Sequence, residues 1–131
     1  MKTNKFNNPN SPENLLAPWI NANTRRFFEY GNGDTQAFGR ILLLHILGLA
    51  DSHNKLIEMY NWLSTNEARE FLWSEQCDPS GEWILNAYYE MKAPIDRYED
   101  SGKKVTDDFV KNVIDSYYEN WEPLKYELEL R

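Results

Sequence analysis

The chain has 131 residues, of which 41% are hydrophobic, and its 14 Lys or Arg against 21 Asp or Glu give a formal net charge of −7. This length predicts a single domain over residues 1–131 that can fold around its own apolar core without a metal. The acidic balance argues against direct nucleic-acid binding, which needs a cationic surface, and a lone Cys77 excludes an internal disulfide.

Several features predict where the protein resides. The longest apolar run, 41–49, is far shorter than the roughly 20 residues that span a bilayer. The N-terminus lacks the apolar core of a secretory signal. A single cysteine is more typical of a reducing compartment. We therefore expect a cytoplasmic protein that does not associate with a membrane.

The first quarter of the chain predicts an arm, two helices and a turn. Residues 1–10 are rich in Asn and indicate an irregular arm. Segment 11–14 is a helix start, with serine as the cap and proline at the first helical position. That helix should stop before Pro18, because a residue that precedes proline avoids helical backbone. A second helix is predicted over 19–30, and 31–34 (Gly-Asn-Gly-Asp) is a turn signal.

The segment Thr35–Ala50 predicts the longest apolar helix, with Asp34 or Thr35 as its cap. Its apolar residues point in nearly every direction when they are placed at 100° per residue. A helix that is apolar around its whole circumference is buried. This segment is therefore the predicted centre of the fold.

The middle of the chain predicts two further helices. One covers 52–63 and is capped by Asp51 or Ser52. The sequence Ser64-Thr65-Asn66-Glu67 has capping-box spacing, with Ser64 as the cap, and predicts a helix to about residue 76. Residues 77–81 (Cys-Asp-Pro-Ser-Gly) break the chain.

Residues 82–92 fit two patterns. As a helix they place one set of residues on a single face, Trp83, Ile84, Ala87, Tyr88 and Met91, and leave Leu85 and Tyr89 on the other. As a strand they place a different set on a single face, Trp83, Leu85, Ala87, Tyr89 and Met91. The length and a capping residue at 78 or 80 favour a helix. We expect it to end at 93–94 (Ala-Pro), and a flexible loop is predicted over 95–105.

Thr106 is the predicted cap of the last clear helix. That helix carries one apolar stripe, formed by Phe109, Val110, Val113, Ile114, Tyr117 and Trp121. Beyond Pro123, apolar and charged residues alternate over 124–130, which predicts a short strand, with a short helix as the alternative. Together the elements predict an all-α, or nearly all-α, compact domain of five to six helices around the buried helix near 35–50.

Catalytic and metal-binding patterns are weak. His45 lies on the apolar face of its helix and is most simply a core histidine, and His53 begins a helix. Cys77 lies between Glu75 and Asp78, which oppose the lowered pKa that a reactive thiol needs. The zinc, EF-hand and phosphate-loop spacings do not occur. We expect no enzymatic activity and no cofactor.

The acidic helix predicted from 107 to 121 offers the best candidate binding surface. Several carboxylates fall opposite its apolar stripe, and an aromatic residue borders them. The simplest interpretation is a solvated face with favourable charges at the helix start. The alternative is a patch whose carboxylates pair with cations of a partner and whose aromatic residue is the anchor. The predicted partner-binding residues are Asp108, Asp115, Tyr118, Glu119, Glu122 and Tyr89.

Three functional hypotheses follow. The first is a non-enzymatic protein-binding module, a small acidic inhibitor or immunity-type protein that blocks a basic surface of another protein, with nucleic-acid mimicry as a subcase. The second is an assembly subunit that oligomerises through its C-terminal segment. The third is a small helical enzyme that uses Asp51, His53 and Cys77.

Overall fold

A computed structural model describes residues 12–30, 33–48, 50 and 52–123. Six α-helices and no strand occur in this part of the chain, so the predicted all-α class is confirmed. The helices are α1 (Pro12–Tyr30), α2 (Thr35–Gly48), α3 (His53–Leu63), α4 (Asn66–Leu72), α5 (Ser80–Asp100) and α6 (Asp107–Trp121). The predicted arm at 1–10 and the predicted strand at 124–130 lie outside the described residues.

Helix α2 lies at the centre of the fold. Nine of its residues are buried, namely Ala37, Phe38, Gly39, Ile41, Leu42, Leu43, Leu44, Ile46 and Leu47. It packs chiefly against α5 and also contacts α1, α3 and α6. Each fully buried leucine or isoleucine stabilises the fold by about 1.5–3 kcal/mol. The prediction of a buried central helix is confirmed.

Helices α2 and α5 approach each other closely at Gly39. A Cβ atom at this position would lie 2.4 Å from the backbone carbonyl oxygen of Trp83. Only a residue without a side chain allows the two backbones this separation. The glycine in an otherwise apolar helix therefore sets the distance between the two principal helices of the core.

Side-chain oxygens cap four helices: Asp34 for α2, Ser52 for α3, Thr65 for α4 and Thr106 for α6. Each accepts a hydrogen bond from a backbone N–H that the first turn leaves without a partner. For α4 the predicted cap, Ser64, was wrong by one residue, because Ser64 is the C-terminal cap of α3 and the Thr65 hydroxyl accepts from the Ala68 N–H. Helix α4 also ends at Leu72, earlier than the predicted residue 76.

Helix α1 runs through Pro18, so the predicted break before this residue was wrong. Leu16 and Ile20 are buried on either side of the proline, whereas Pro18 itself is exposed. A proline removes one backbone hydrogen bond, and the burial of its apolar neighbours offsets that loss.

Helix α5 likewise runs through Pro94 to Asp100. Met91 and Ile95 are buried beside the exposed proline, and their burial stabilises the helix on both sides of Pro94. The loop predicted over 95–105 was therefore wrong in its first half, and the connection to α6 covers only 101–106.

The start of α5 also differs from the prediction. The helix begins at Ser80, and the preceding Pro79 provides no side-chain cap, so neither Asp78 nor Ser80 caps it. The Ser80 hydroxyl is buried and forms a hydrogen bond with the Thr24 hydroxyl of α1. This contact joins α1 to α5 inside the core.

None of the described helices combines the length and the apolar character that crossing a bilayer requires.

Candidate functional site

The most connected polar cluster lies where α2, α5 and α6 meet. The Arg40 guanidinium donates two hydrogen bonds to the Glu90 carboxylate, from Nε (2.9 Å) and from Nη2 (2.8 Å). The Tyr117 hydroxyl donates to the same carboxylate (2.8 Å). The guanidinium also lies over the Trp121 ring, 3.8 Å from its centroid. We call these four residues the Arg40 junction.

Local sequence places each member of the Arg40 junction. Arg40 is the one ionisable side chain among the first ten residues of α2, and its helix packs on α5. Tyr117 and Trp121 are four residues apart, so both project from the same side of α6. The bidentate geometry is the strongest that a guanidinium and a carboxylate form. The junction therefore fixes the position of α6 relative to the two core helices.

Electrostatics in the Arg40 junction follow from these contacts. The hydrogen bond from Arg40 lowers the pKa of Glu90, against the opposing effect of partial burial. Burial raises the pKa of Tyr117, and the bond to the Glu90 carboxylate raises it further. The carboxylate is therefore ionised and the phenol is neutral at physiological pH. Neither group is set up as a general base or acid near neutrality.

Two grooves flank the Arg40 junction. The first, of about 290 Å³, lies between α2 and α5, and its lining residues are Thr35, Gln36, Arg40, Trp83, Asn86, Ala87 and Glu90. The second, of about 490 Å³, lies between α5 and α6. Its lining residues are Glu90, Met91, Pro94, Asn112, Val113, Ser116, Tyr117, Asn120 and Trp121. Both volumes fall near or within the range of small-ligand sites.

The predicted acidic residues form an outward face on α6. Asp108, Asp115, Glu119 and Glu122 are all exposed, and Lys111 lies 3.2 Å from the Asp115 carboxylate. The last turn of α6 carries no basic residue. A carboxylate near a helix C-terminus interacts unfavourably with the helix dipole. Glu119 and Glu122 therefore do nothing to stabilise the helix that carries them.

The predicted anchor Tyr118 borders this acidic face, but its hydroxyl is directed to the core. Its ring is partly buried, and its hydroxyl donates a hydrogen bond to the Leu44 carbonyl of α2. Burial and the nearby Glu122 and Asp115 carboxylates raise the pKa of Tyr118 to about 12. The structure thus gives Tyr118 a role in attaching α6 to the core.

Tyr89, the other predicted aromatic contact, is 43% exposed on α5. Its hydroxyl accepts a hydrogen bond from Arg69 Nη2 of α4 (2.7 Å). Tyr89 follows the buried Tyr88 as Tyr118 follows the buried Tyr117, but Tyr89 is exposed whereas Tyr118 is partly buried. The structure does not bring Tyr89 together with Tyr118.

Exposed aromatic residues occur elsewhere on the surface. Phe28 and Trp73 are 63% and 62% exposed. The Phe28 ring lies 5.8 Å from the Trp83 ring, which lines the first groove.

The two histidines are partly buried, His45 in α2 and His53 at the start of α3. His45 stacks on Trp19 of α1, with ring centroids 3.7 Å apart and nearly parallel planes. Cys77 is fully buried. In the part of the chain that the structure describes, no group of three or more His, Cys, Asp or Glu side chains is arranged to hold a metal ion. Asp51, the third residue of the enzymatic hypothesis, lies outside the described residues.

Comparisons with known proteins found no match: no protein family, no curated protein and no solved structure is similar to this chain. Its candidate site is therefore defined by its own residues alone.

Sequence reasoning missed the Arg40 junction and both grooves. A single arginine inside an apolar helix was a usable signal, since a buried or half-buried cation requires an anionic partner. The partner itself, Glu90, lies 50 residues away along the chain, and no local pattern indicates it.

Proposed function

We propose that this chain is a non-enzymatic protein-binding module, a small acidic inhibitor or immunity-type protein that covers a basic functional surface of another protein. The outward face of α6 supports the proposal. Asp108, Glu119 and Glu122 are exposed there, and among the described residues none of the three lies in an ion pair. Such a face attracts a cationic partner and speeds its association.

The position of these carboxylates supports a role in recognition over a role in folding. Glu119 and Glu122 lie at the end of α6 where the helix dipole disfavours negative charge. Residues that oppose the local rules of stability are expected where they serve binding. A line of carboxylates on one helix also resembles the phosphates of a nucleic acid, so a nucleic-acid-binding surface of the partner belongs to the same proposal.

Affinity capture from the source lysate, at low and at high salt, tests this proposal. Three baits are compared: the unaltered protein, Glu119→Lys, and a matched control, Glu70→Lys. Glu70 is exposed on α4, so its substitution makes the same charge change away from α6. We expect the unaltered protein to capture one stoichiometric basic partner, which high salt releases. The control Glu70→Lys should still capture this partner, and Glu119→Lys should not.

Two outcomes would contradict the proposal. Equal capture by Glu119→Lys and Glu70→Lys would remove the α6 face from the interface. Capture of only further copies of the chain, with oligomers in analytical ultracentrifugation, would favour an assembly subunit. Such oligomers would be measured on the isolated protein at several concentrations, because a mass-action dependence identifies self-association.

A further inference from the structure

We infer that the two grooves form one continuous track for a short extended segment of a basic partner. This inference rests on the proposed function and specifies which structural element of the partner the chain holds. Both grooves include Glu90 in their walls, so they meet at the Arg40 junction.

A single stripe of α5 forms the floor of the track. Its members recur at three- and four-residue spacing and are Trp83, Asn86, Ala87, Glu90, Met91 and Pro94. From the first to the last of these residues the helix rises about 16 Å. An extended chain covers that distance with about five residues. The track therefore has the length of a short linear segment.

Apart from the Arg40–Glu90 ion pair at its middle, the track is lined by uncharged hydrogen-bonding groups. The amide side chains of Gln36 and Asn86 are exposed in the first groove, and those of Asn112 and Asn120 are exposed in the second. Each amide offers both a donor and an acceptor, as a peptide group does. An extended segment presents unpaired backbone N–H and C=O groups, whereas a helix has already paired its own. These amides consequently favour an extended ligand.

The borders of the track select the side chains of that segment. Asp108 and Glu119 lie within one helical turn of Asn112 and Ser116, which line the second groove, and Glu82 is exposed near the other end on α5. Successive side chains of an extended segment point to opposite sides. Lys or Arg side chains on one side therefore reach the acidic border of α6. Apolar side chains on the other side contact α5, where the ring of Trp83 is partly exposed.

Selection of a random heptapeptide library displayed on phage tests the track. Enriched peptides are synthesised with a fluorophore, and their affinity for the unaltered protein is measured by fluorescence anisotropy. We expect enrichment of peptides in which Lys or Arg alternates with apolar residues. Asn86→Ala and Asn112→Ala should each weaken binding about fivefold, and the double variant about twentyfold. The matched control Asn61→Ala removes an exposed amide from α3 and should leave the affinity unchanged.

Three results would overturn the inference. In the first, the selection enriches no peptide. In the second, the enriched peptides bind both groove variants as tightly as they bind the unaltered protein. In the third, the protein binds oligosaccharides on a glycan array and does not bind peptides. Circular dichroism of each variant verifies that it is folded, which is expected since all three amides are exposed. If Glu119→Lys abolishes capture of the partner while the groove variants do not affect it, the proposed function stands and the track is wrong.

Discussion

Helices α2 and α6 have similar lengths, 14 and 15 residues, but they distribute their side chains in opposite ways. Nine residues of α2 are buried, against only three of α6, which are Val110, Ile114 and Tyr117. Helix α2 therefore contributes most of its surface to stability. Helix α6 is held by one stripe and leaves the rest of its circumference available. The core therefore rests mainly on α2, and the outward face of α6 is the surface that the proposed function uses.

The largest expected effect is at the contact between α2 and α5. Gly39→Ala would place a methyl group 2.4 Å from the backbone carbonyl oxygen of Trp83, and a backbone cannot move aside as a side chain does. We expect the free energy of unfolding to fall by about 3 kcal/mol, measured by urea denaturation. Gly33→Ala is the control, because its Cβ would meet no atom within 4 Å.

The control is not neutral, since Gly33 has a φ of +85° that disfavours a side chain, and we expect it to cost about 1 kcal/mol. Gly39→Ala and Gly33→Ala could instead lower the free energy of unfolding equally. That result would refute the close approach of α2 and α5, and α2 would no longer differ from α6 as the helix on which the core depends.

The second prediction concerns the Arg40 junction, which connects the buried helix α2 to the exposed helix α6. Glu90→Gln should lower the free energy of unfolding by about 1 kcal/mol near pH 7, a value reduced by the partial exposure of the pair. The pKa of Glu90 is lowered in the folded protein. Its contribution is therefore present above the ordinary carboxyl pKa of about 4.3 and is lost as the pH falls through the lower folded value.

Urea denaturation of both proteins from pH 7 to pH 2.5 measures this dependence. The difference between the unaltered protein and Glu90→Gln should narrow in acid. A difference that stays constant over the whole range would show that the charge of Glu90 contributes nothing, and that the junction acts through packing alone.

A smaller effect separates two tyrosines. Tyr118→Phe removes the hydrogen bond to the Leu44 carbonyl in a partly buried site, and we expect a loss of about 0.5 to 1 kcal/mol. Tyr89→Phe removes an exposed contact with Arg69 and should cost less than about 0.5 kcal/mol. Thermal denaturation of the two variants compares them. Equal losses would mean that α6 is not attached to α2 through Tyr118.

The smallest expected effect is on the acidic face itself. Glu119→Lys replaces an anion with a cation near the C-terminus of α6 and should raise the free energy of unfolding by a few tenths of a kcal/mol. Differential scanning calorimetry at low salt measures this shift. A clear destabilisation would show that α6 uses this face for folding, and would count against the proposed binding role of the face.

The sequence alone determined the features that depend on neighbouring residues. The apolar circumference of α2, the stripe of α6 and the cap at Thr106 are local patterns, and the structure confirms each of them. They could be predicted because helical periodicity and capping act over three or four residues. The face with Asp108 and Glu119 was also predictable, because it is the side of α6 opposite that stripe.

The tertiary structure decided what depends on distant residues. Whether α1 and α5 continue through Pro18 and Pro94 was settled by the burial of their apolar neighbours in a core that other helices complete. The Arg40 junction joins groups that are 27 and 50 residues apart. The grooves exist only between packed helices. Such contacts depend on which helix surfaces pack together. The total apolar area buried over the whole chain determines this packing, and a local sequence pattern carries no information about that total.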